Sequence, residues 1–442
     1  MLSEKTRRSA AAWALWLVLI WALPVALVGQ DWKPKRGLLS RDLPEWLTLG
    51  TELRLRWEDR RGLRFDPVDE DGYLVQRFRI NLGIEPSRHF GVFVQGQDAR
   101  GWKLDAGRRN NQRNVFDIRQ GYVRIGDEEG LWDVKVGRMR MSLGNERLLG
   151  RRNWSNTTPT HDMVKLAVHN GENRVDIFSS SNVIIDDGTF DKHVDGNNYH
   201  GIYGSLGSLI PHTKIEPYFT QRTLKRVTGE NGFASDADIY TAGARAQGTT
   251  PSGWDFELDY ARQFGTFAQD DVRAWVTTLV TGYIFQDATW TPRVHGEFNY
   301  ASGDQQRGDG VRGTYDTYFH SFHKHYGIAD LLGRKNTRNV KSGFHFKPNS
   351  KTVVRLDHLL IWLASRTDSY YRHSGSVLVP GVTTGAASTY VGNEFDAQFV
   401  YTFSPEYRFG GGYARLFPGA FLDETTPAAD SSFTYVYVEF TL

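Results

Sequence analysis

From Trp46 to Trp57 the chain alternates. Leu47, Leu49, Thr51, Leu53, Leu55 and Trp57 share one face, while Thr48, Gly50, Glu52, Arg54 and Arg56 share the other. Side chains of a strand point to opposite faces with period two, so this segment reads as a strand with one apolar and one charged face. About eighteen such segments recur, a number that suits a closed membrane barrel. They lie near 46–57, 73–84, 90–100, 115–126, 131–141, 161–169, 172–181, 198–206, 213–223, 238–247, 253–264, 273–285, 291–302, 335–347, 351–364, 392–403, 406–417 and 432–442. Most have the ~9–11 residues with which a tilted strand crosses a bilayer.

The connectors switch between short and long. Short ones include 127–130, 170–171, 348–350 and 404–405; long ones include 142–160, 182–197, 303–334 and 365–391, with 265–272 the weakest of the long set. Asn-Gly at 170–171 suits a type I′ hairpin, because both central residues need positive φ. Pro-Asn-Ser at 348–350 presets a tight bend. Short turns on one side and long loops on the other predict an all-β, antiparallel up-and-down barrel in the outer membrane, with periplasmic turns and extracellular loops. A large soluble β-protein is the competing reading. A propeller would show self-similar repeats, and none is visible. A last strand carrying Val436, Val438 and Phe440 on one face, and aromatics near segment ends (Trp46, Trp57, Tyr73, Trp132, Trp254, Tyr283, Tyr401, Phe403), fit a barrel with interfacial girdles.

Composition agrees. The 442 residues include 45 glycines and no cysteine, and mean hydropathy is −0.48. No internal run is long enough for a spanning helix. Lys5, Arg7 and Arg8 precede an apolar stretch from Ala10 to Val28, so residues 1–29 read as a signal peptide, 30–45 as a periplasmic segment and 46–442 as the barrel. A retained anchor helix is the other reading of 1–29. That segment holds three of the 53 basic and one of the 51 acidic side chains, so its removal leaves a balanced chain. Any ionic partner must then be recognised through where charges sit.

With the apolar face toward lipid, the opposite face projects Arg54, Arg56, Arg77 and Arg79 inward. Lys165, Arg174, Lys214, Arg222, Arg245, Arg273, Arg293, Lys341, Arg355 and Arg408 follow on later strands. The acids Asp255, Glu257 and Asp259 line one strand. Cross-strand pairs can simply brace a wet lumen. An arginine excess could instead carry an anion, since a guanidinium stays charged and grips a carboxylate with two hydrogen bonds. The expected partner is therefore an anionic polysaccharide or small organic anion, besides outer-membrane lipid and periplasmic export or assembly proteins. A non-selective porin or scaffold barrel is the alternative.

One stretch is more specific. From Val136 the chain reads V-G-R-M-R-M-S-L-G-N-E-R-L-L-G-R-R-N-W-S-N. It resembles the alginate-export family of outer-membrane barrels. The matching positions are Gly137, Arg138, Gly144, Asn145, Glu146, Arg147, Leu148, Gly150, Trp154 and Asn156. The resemblance implies an eighteen-stranded monomeric barrel with an electropositive constriction that passes a secreted uronate polysaccharide outward. Arg138, Arg147, Arg151 and Arg152 are then pore-lining candidates beside the strand arginines. Gly144, Glu146, Trp154 and Asn156 would structure the loop, with Glu146 anchoring Arg147 or Arg151. The acid-bearing strand 253–264 runs against such a cargo unless arginines neutralise it.

Other chemistry finds little support. His320, His323, Lys324 and His325 sit in the long connector with Asp304, Asp309 and Asp316, and are read as solvated loop residues rather than metal ligands. No serine lies in an activating motif for a hydrolase, although His295 and His358 lie on strands. No enzyme activity, cofactor, metal or nucleic-acid partner is expected.

Overall fold

The computed structural model describes residues 36–104, 112–382 and 384–442. The expected signal peptide and the first residues of the periplasmic segment lie outside the described residues. Eighteen strands form the barrel: β1 Leu47–Arg61, β2 Glu70–Ser87, β3 Phe90–Trp102, β4 Asn114–Gly126, β5 Trp132–Met139 and β6 His161–Asn170; then β7 Asn173–Ile184, β8 Lys192–Ile210, β9 Thr213–Thr228, β10 Ala234–Thr249, β11 Trp254–Phe267 and β12 Asp270–Ile284; then β13 Arg293–Ala301, β14 Thr337–Asn349, β15 Thr352–Trp362, β16 Tyr390–Ser404, β17 Tyr407–Pro418 and β18 Ser431–Thr441. Each pairs antiparallel with the next, and β18 returns to pair with β1. Closure removes free edges, so the strands can satisfy their backbone groups without water.

Period-two alternation sorts the two faces. On β12, Trp275 and Leu279 are exposed outward while Val272, Ala274, Val276 and Thr278 are buried inside. Val136, Val164, Ile202, Leu258, Leu279 and Val436 belong to the outward apolar belt, which lipid covers. Trp46, Trp132, Trp254 and Phe403 mark the short-turn rim, and Trp57 and Trp102 the loop rim. Tyr73 leaves the girdle expected for it: it points inside and donates its hydroxyl to Glu58 at 2.6 Å.

The hairpin at 170–171 differs in detail. Asn170 pairs with Asn173, so Gly171 and Glu172 are the central residues. Gly171 has φ 60°, and Glu172 is not among the described residues with positive φ. A glycine first in the turn is the type II′ requirement, and it displaces the expected type I′ turn. At the β14–β15 turn, Asn349 Oδ1 accepts from Lys351 N at 2.9 Å and from Thr352 Oγ1 at 3.0 Å.

The core lies inside the barrel. Segments 140–160, 302–336 and 363–389 fold inward from the loop side, so the lumen there is packed rather than wet. Phe65, Leu332, Ile361, Tyr370, Phe421 and Phe433 belong to one cluster. Met141, Leu149, Phe178, Tyr203, Tyr315 and Tyr318 belong to a second. His320 and His325 are buried in this filling, which corrects their reading as solvated loop residues.

Candidate pore wall and inward-folded plug

The arginine wall follows from register. Inward positions of β1 and β2 meet so that Arg54 lies directly opposite Arg77, and Glu52 opposite Arg79. Two like charges facing each other across a ladder repel. The chain resolves this with carbonyl oxygens from segment 140–160. Asn153 O accepts from Arg54 Nη1 and from Arg77 Nη1, both at 2.9 Å. Trp154 O accepts from Arg54 Nη2 at 3.0 Å and from Arg56 Nη1 at 2.5 Å. Arg79 Nη1 reaches Asn153 Oδ1 at 3.1 Å, and on β4 Arg119 Nε reaches Thr158 Oγ1 at 2.6 Å. Glu52 pairs with Arg77 and Arg79, and Glu58 with Arg56. Of these five guanidiniums, three pair with the carboxylates Glu52 and Glu58, the latter shared with Arg60, while Glu439, opposite Arg54 on β18, pairs with Arg408. Arg54 and Arg119 have no carboxylate partner among the described residues, and Arg54 Nε and Arg119 Nη2 are buried without an acceptor.

The plug is shaped by backbone conformations that side chains rarely adopt. Gly144, Glu146 and Arg152 have φ of 51°, 66° and 46°. A Cβ on Gly144 would collide with the Tyr203 hydroxyl, so glycine is needed there for both reasons. Glu146 accepts from Arg151 Nε at 2.7 Å and from Ser321 Oγ at 2.5 Å, and its carbonyl accepts from Ser321 N at 2.9 Å. Burial pushes the Glu146 carboxyl up, but Arg151, Lys324 and the Ser321 hydroxyl outweigh it and hold the group below its ordinary value. Trp154 stacks on His323 with ring centroids 3.7 Å apart, lies under the Arg56 guanidinium, and donates from Nε1 to Asp330 at 3.1 Å. Asn156 is fully buried, and its Nδ2 donates to the carbonyls of Gln76 and Gln112, each at 2.8 Å.

The opposite wall is acidic but compensated. Asp255 takes two hydrogen bonds from Arg293, at 2.7 and 2.6 Å. Glu257 pairs with Arg147 at 2.7 Å and Arg245 at 3.1 Å. Asp259 pairs with Arg334 at 2.5 Å, and Glu297 with Lys341 at 2.9 Å. The strand that would repel a polyanion is thus neutralised, two of its partners coming from inward-folded segments.

The other pore-lining candidates are dispersed. Arg147 is buried among these acids, and Arg293 pairs near the short-turn rim. Arg151 is spent on Glu146. Arg152 sits over Phe322 at 4.9 Å, and burial pushes its guanidinium down to about 10. Arg355 projects into the short-turn half of the lumen and is exposed, with no ion pair among the described residues. Arg138 departs from the expectation of a lumenal charge: it shares the outward face of Val134 and Val136 and pairs with Asp162 at 2.8 Å. Arg273 is likewise outside, exposed beside Asp271, because Val272 takes the inward position against Ala237 and Ile239. Sequence reading missed Arg119 and Arg334. Arg119 was legible, since Asp117 and Arg119 alternate with Phe116 and Ile118; Arg334 lies in a loop with no periodicity to mark it.

Comparisons place this architecture. Acinetobacter baumannii OccAB2 superposes with TM-score 0.62 at 11% identity, covering 90% of this chain and 98% of that one. Pseudomonas aeruginosa OccD3 (OpdP) gives 0.61 at 10% identity, with 95% and 96% covered, and P. aeruginosa OpdQ gives 0.62 at 11%, with 90% and 97% covered. At such identities the likeness concerns the fold. No curated protein matches by sequence. The family model described as alginate export matches residues 45–436, the whole barrel but for its last few residues, and the chain belongs to that family of outer-membrane channels.

Proposed function

We propose that this outer-membrane channel passes an anionic polysaccharide, or a related organic anion, along the wall formed by Arg54, Arg56, Arg77, Arg79 and Arg119. One observation carries the reading. The wall holds more guanidinium than carboxylate, and many of its donors end on neutral oxygens of the plug. A carboxylate makes stronger, shorter hydrogen bonds to guanidinium than a carbonyl does, so an anionic cargo can replace the plug's oxygens one site at a time. A conduit needs such exchangeable binding, because cargo must leave as well as enter. No chemical step on the cargo is involved.

The test is single-channel recording in a planar bilayer under a salt gradient, with oligouronate added. An anion-selective reversal potential with oligouronate block is the expected result, and Arg54→Glu should weaken both. A large unselective conductance that ignores oligouronate would leave only a general porin.

A further inference from the structure

Apart from the arginine wall, toward the short-turn rim, β13, β14 and β15 bring two histidines and an aspartate together. Register sets them in a row: His295 on β13 faces Gly343 on β14, which faces Asp357 on β15. His345 lies two residues beyond Gly343 on the same face. His345 Nε2 is 3.0 Å and His295 Nε2 3.5 Å from the same Asp357 Oδ1, and the imidazole centroids are 4.6 Å apart. Strands two apart in a sheet do not ordinarily share a side-chain contact of this kind. Gly343 permits it: a Cβ there would collide with His295 Cε1 and Asp357 Oδ1 and lie 2.7 Å from His295 Nδ1. Its φ is ordinary, so the glycine serves space rather than backbone freedom.

We propose that His295, His345 and Asp357 form a lumenal site for a borderline divalent metal of the zinc type. One potential ligand atom from each of the three residues lies within 4.8 Å of the others. Tetrahedral zinc with bonds of about 2.0–2.1 Å needs its ligand atoms roughly 3.3 Å apart; the two His–Asp separations of 3.0 and 3.5 Å are close to that, and the two imidazoles need to close from within 4.8 Å. His295 is 6% exposed and its Nδ1 is buried without a partner. Buried polar atoms are ordinarily satisfied, so this imidazole keeps an unused donor or ligand position. The surrounding charge is mixed: Asp396 faces Asp357 across β15–β16, and the bases Arg293 and Lys341 are paired with Asp255 and Glu297, while Arg355, which has no ion pair among the described residues, lies directly opposite His345. Imidazole and carboxylate donors favour zinc over magnesium or calcium. Three protein ligands leave a fourth position open toward the lumen, where water or an oxyanion could bind. The site stands independently of the cargo reading.

The experiment uses the full barrel, purified without a histidine tag, stripped with chelator and titrated with Zn2+ by calorimetry. Co2+ substitution reports four-coordinate geometry through its visible absorption. One equivalent of Zn2+ should bind, and His345→Asn should weaken binding at least about tenfold. Gly343→Ala should weaken it as well, although it leaves all three ligands in place. Folding of each variant is checked by heat-modifiable gel mobility. If Gly343→Ala does not fold, His345→Asn decides. No Zn2+ uptake by the unmodified barrel, or uptake unchanged in the folded variants, overturns the proposal.

Discussion

Arg54 and Arg77 show how a residue that looks suited to cargo can be held by its own protein. Each would repel the other, and the oxygens of residues 153–155 answer both. Asn156, the next residue along, holds that arrangement against the carbonyls of Gln76 and Gln112. Leaving buried carbonyls without a donor costs about 1–3 kcal/mol. Asn156→Ala should therefore loosen the plug and raise the open fraction roughly tenfold, about the worth of 1.4 kcal/mol. Single-channel recording measures this directly, and an unchanged open fraction would show that Asn156 does not hold the closed arrangement.

At the scale of the element, segment 140–160 behaves as a strap pinned at both ends, with Glu146 at its first turn and Asn156 at its last. Glu146 titrates below its ordinary range because its cationic and hydroxyl partners outweigh burial. A carboxyl depressed in the folded state contributes stability above its unfolded value and loses it as pH falls through the folded one. The strap should stay pinned at neutral pH and release only on acidification below the ordinary carboxylate range. Conductance recorded against pH should then rise at the acid end. In Glu146→Gln the corresponding acid step should disappear; if the variant keeps the full step, another group is responsible.

Across the whole molecule, the barrel was readable and its filling was not. Alternation marks a strand wherever one face meets lipid, so all eighteen strands were visible, and Trp154 and Glu146 stood out through a family motif. The inward loops bury Tyr315, Tyr326 and Leu332 through contacts far apart in sequence, and no local period announces them. Arg273 was misplaced for the same reason: near the loop rim the interior is apolar, and the sorting of faces reverses. Two of the filling segments, 140–160 and 302–336, also meet, with Gly150 N donating to Phe319 O at 2.8 Å. A Cβ on Gly150 would touch Ser321 Oγ, and the chain has no cysteine, so Gly150→Cys with Ser321→Cys offers a clean crosslink. Oxidation should lower conductance and reductant restore it. Insensitivity to both, with the crosslink verified by mass, would mean the two segments need not separate for conduction.

The anchoring of the plug through main-chain oxygens has an evolutionary consequence. Any residue supplies a carbonyl, so positions such as Ser155 can drift while the arginines that grip them cannot. Relatives can thus inherit one wall and remodel the insert that rests on it. Selectivity can diversify in the insert without the barrel having to change.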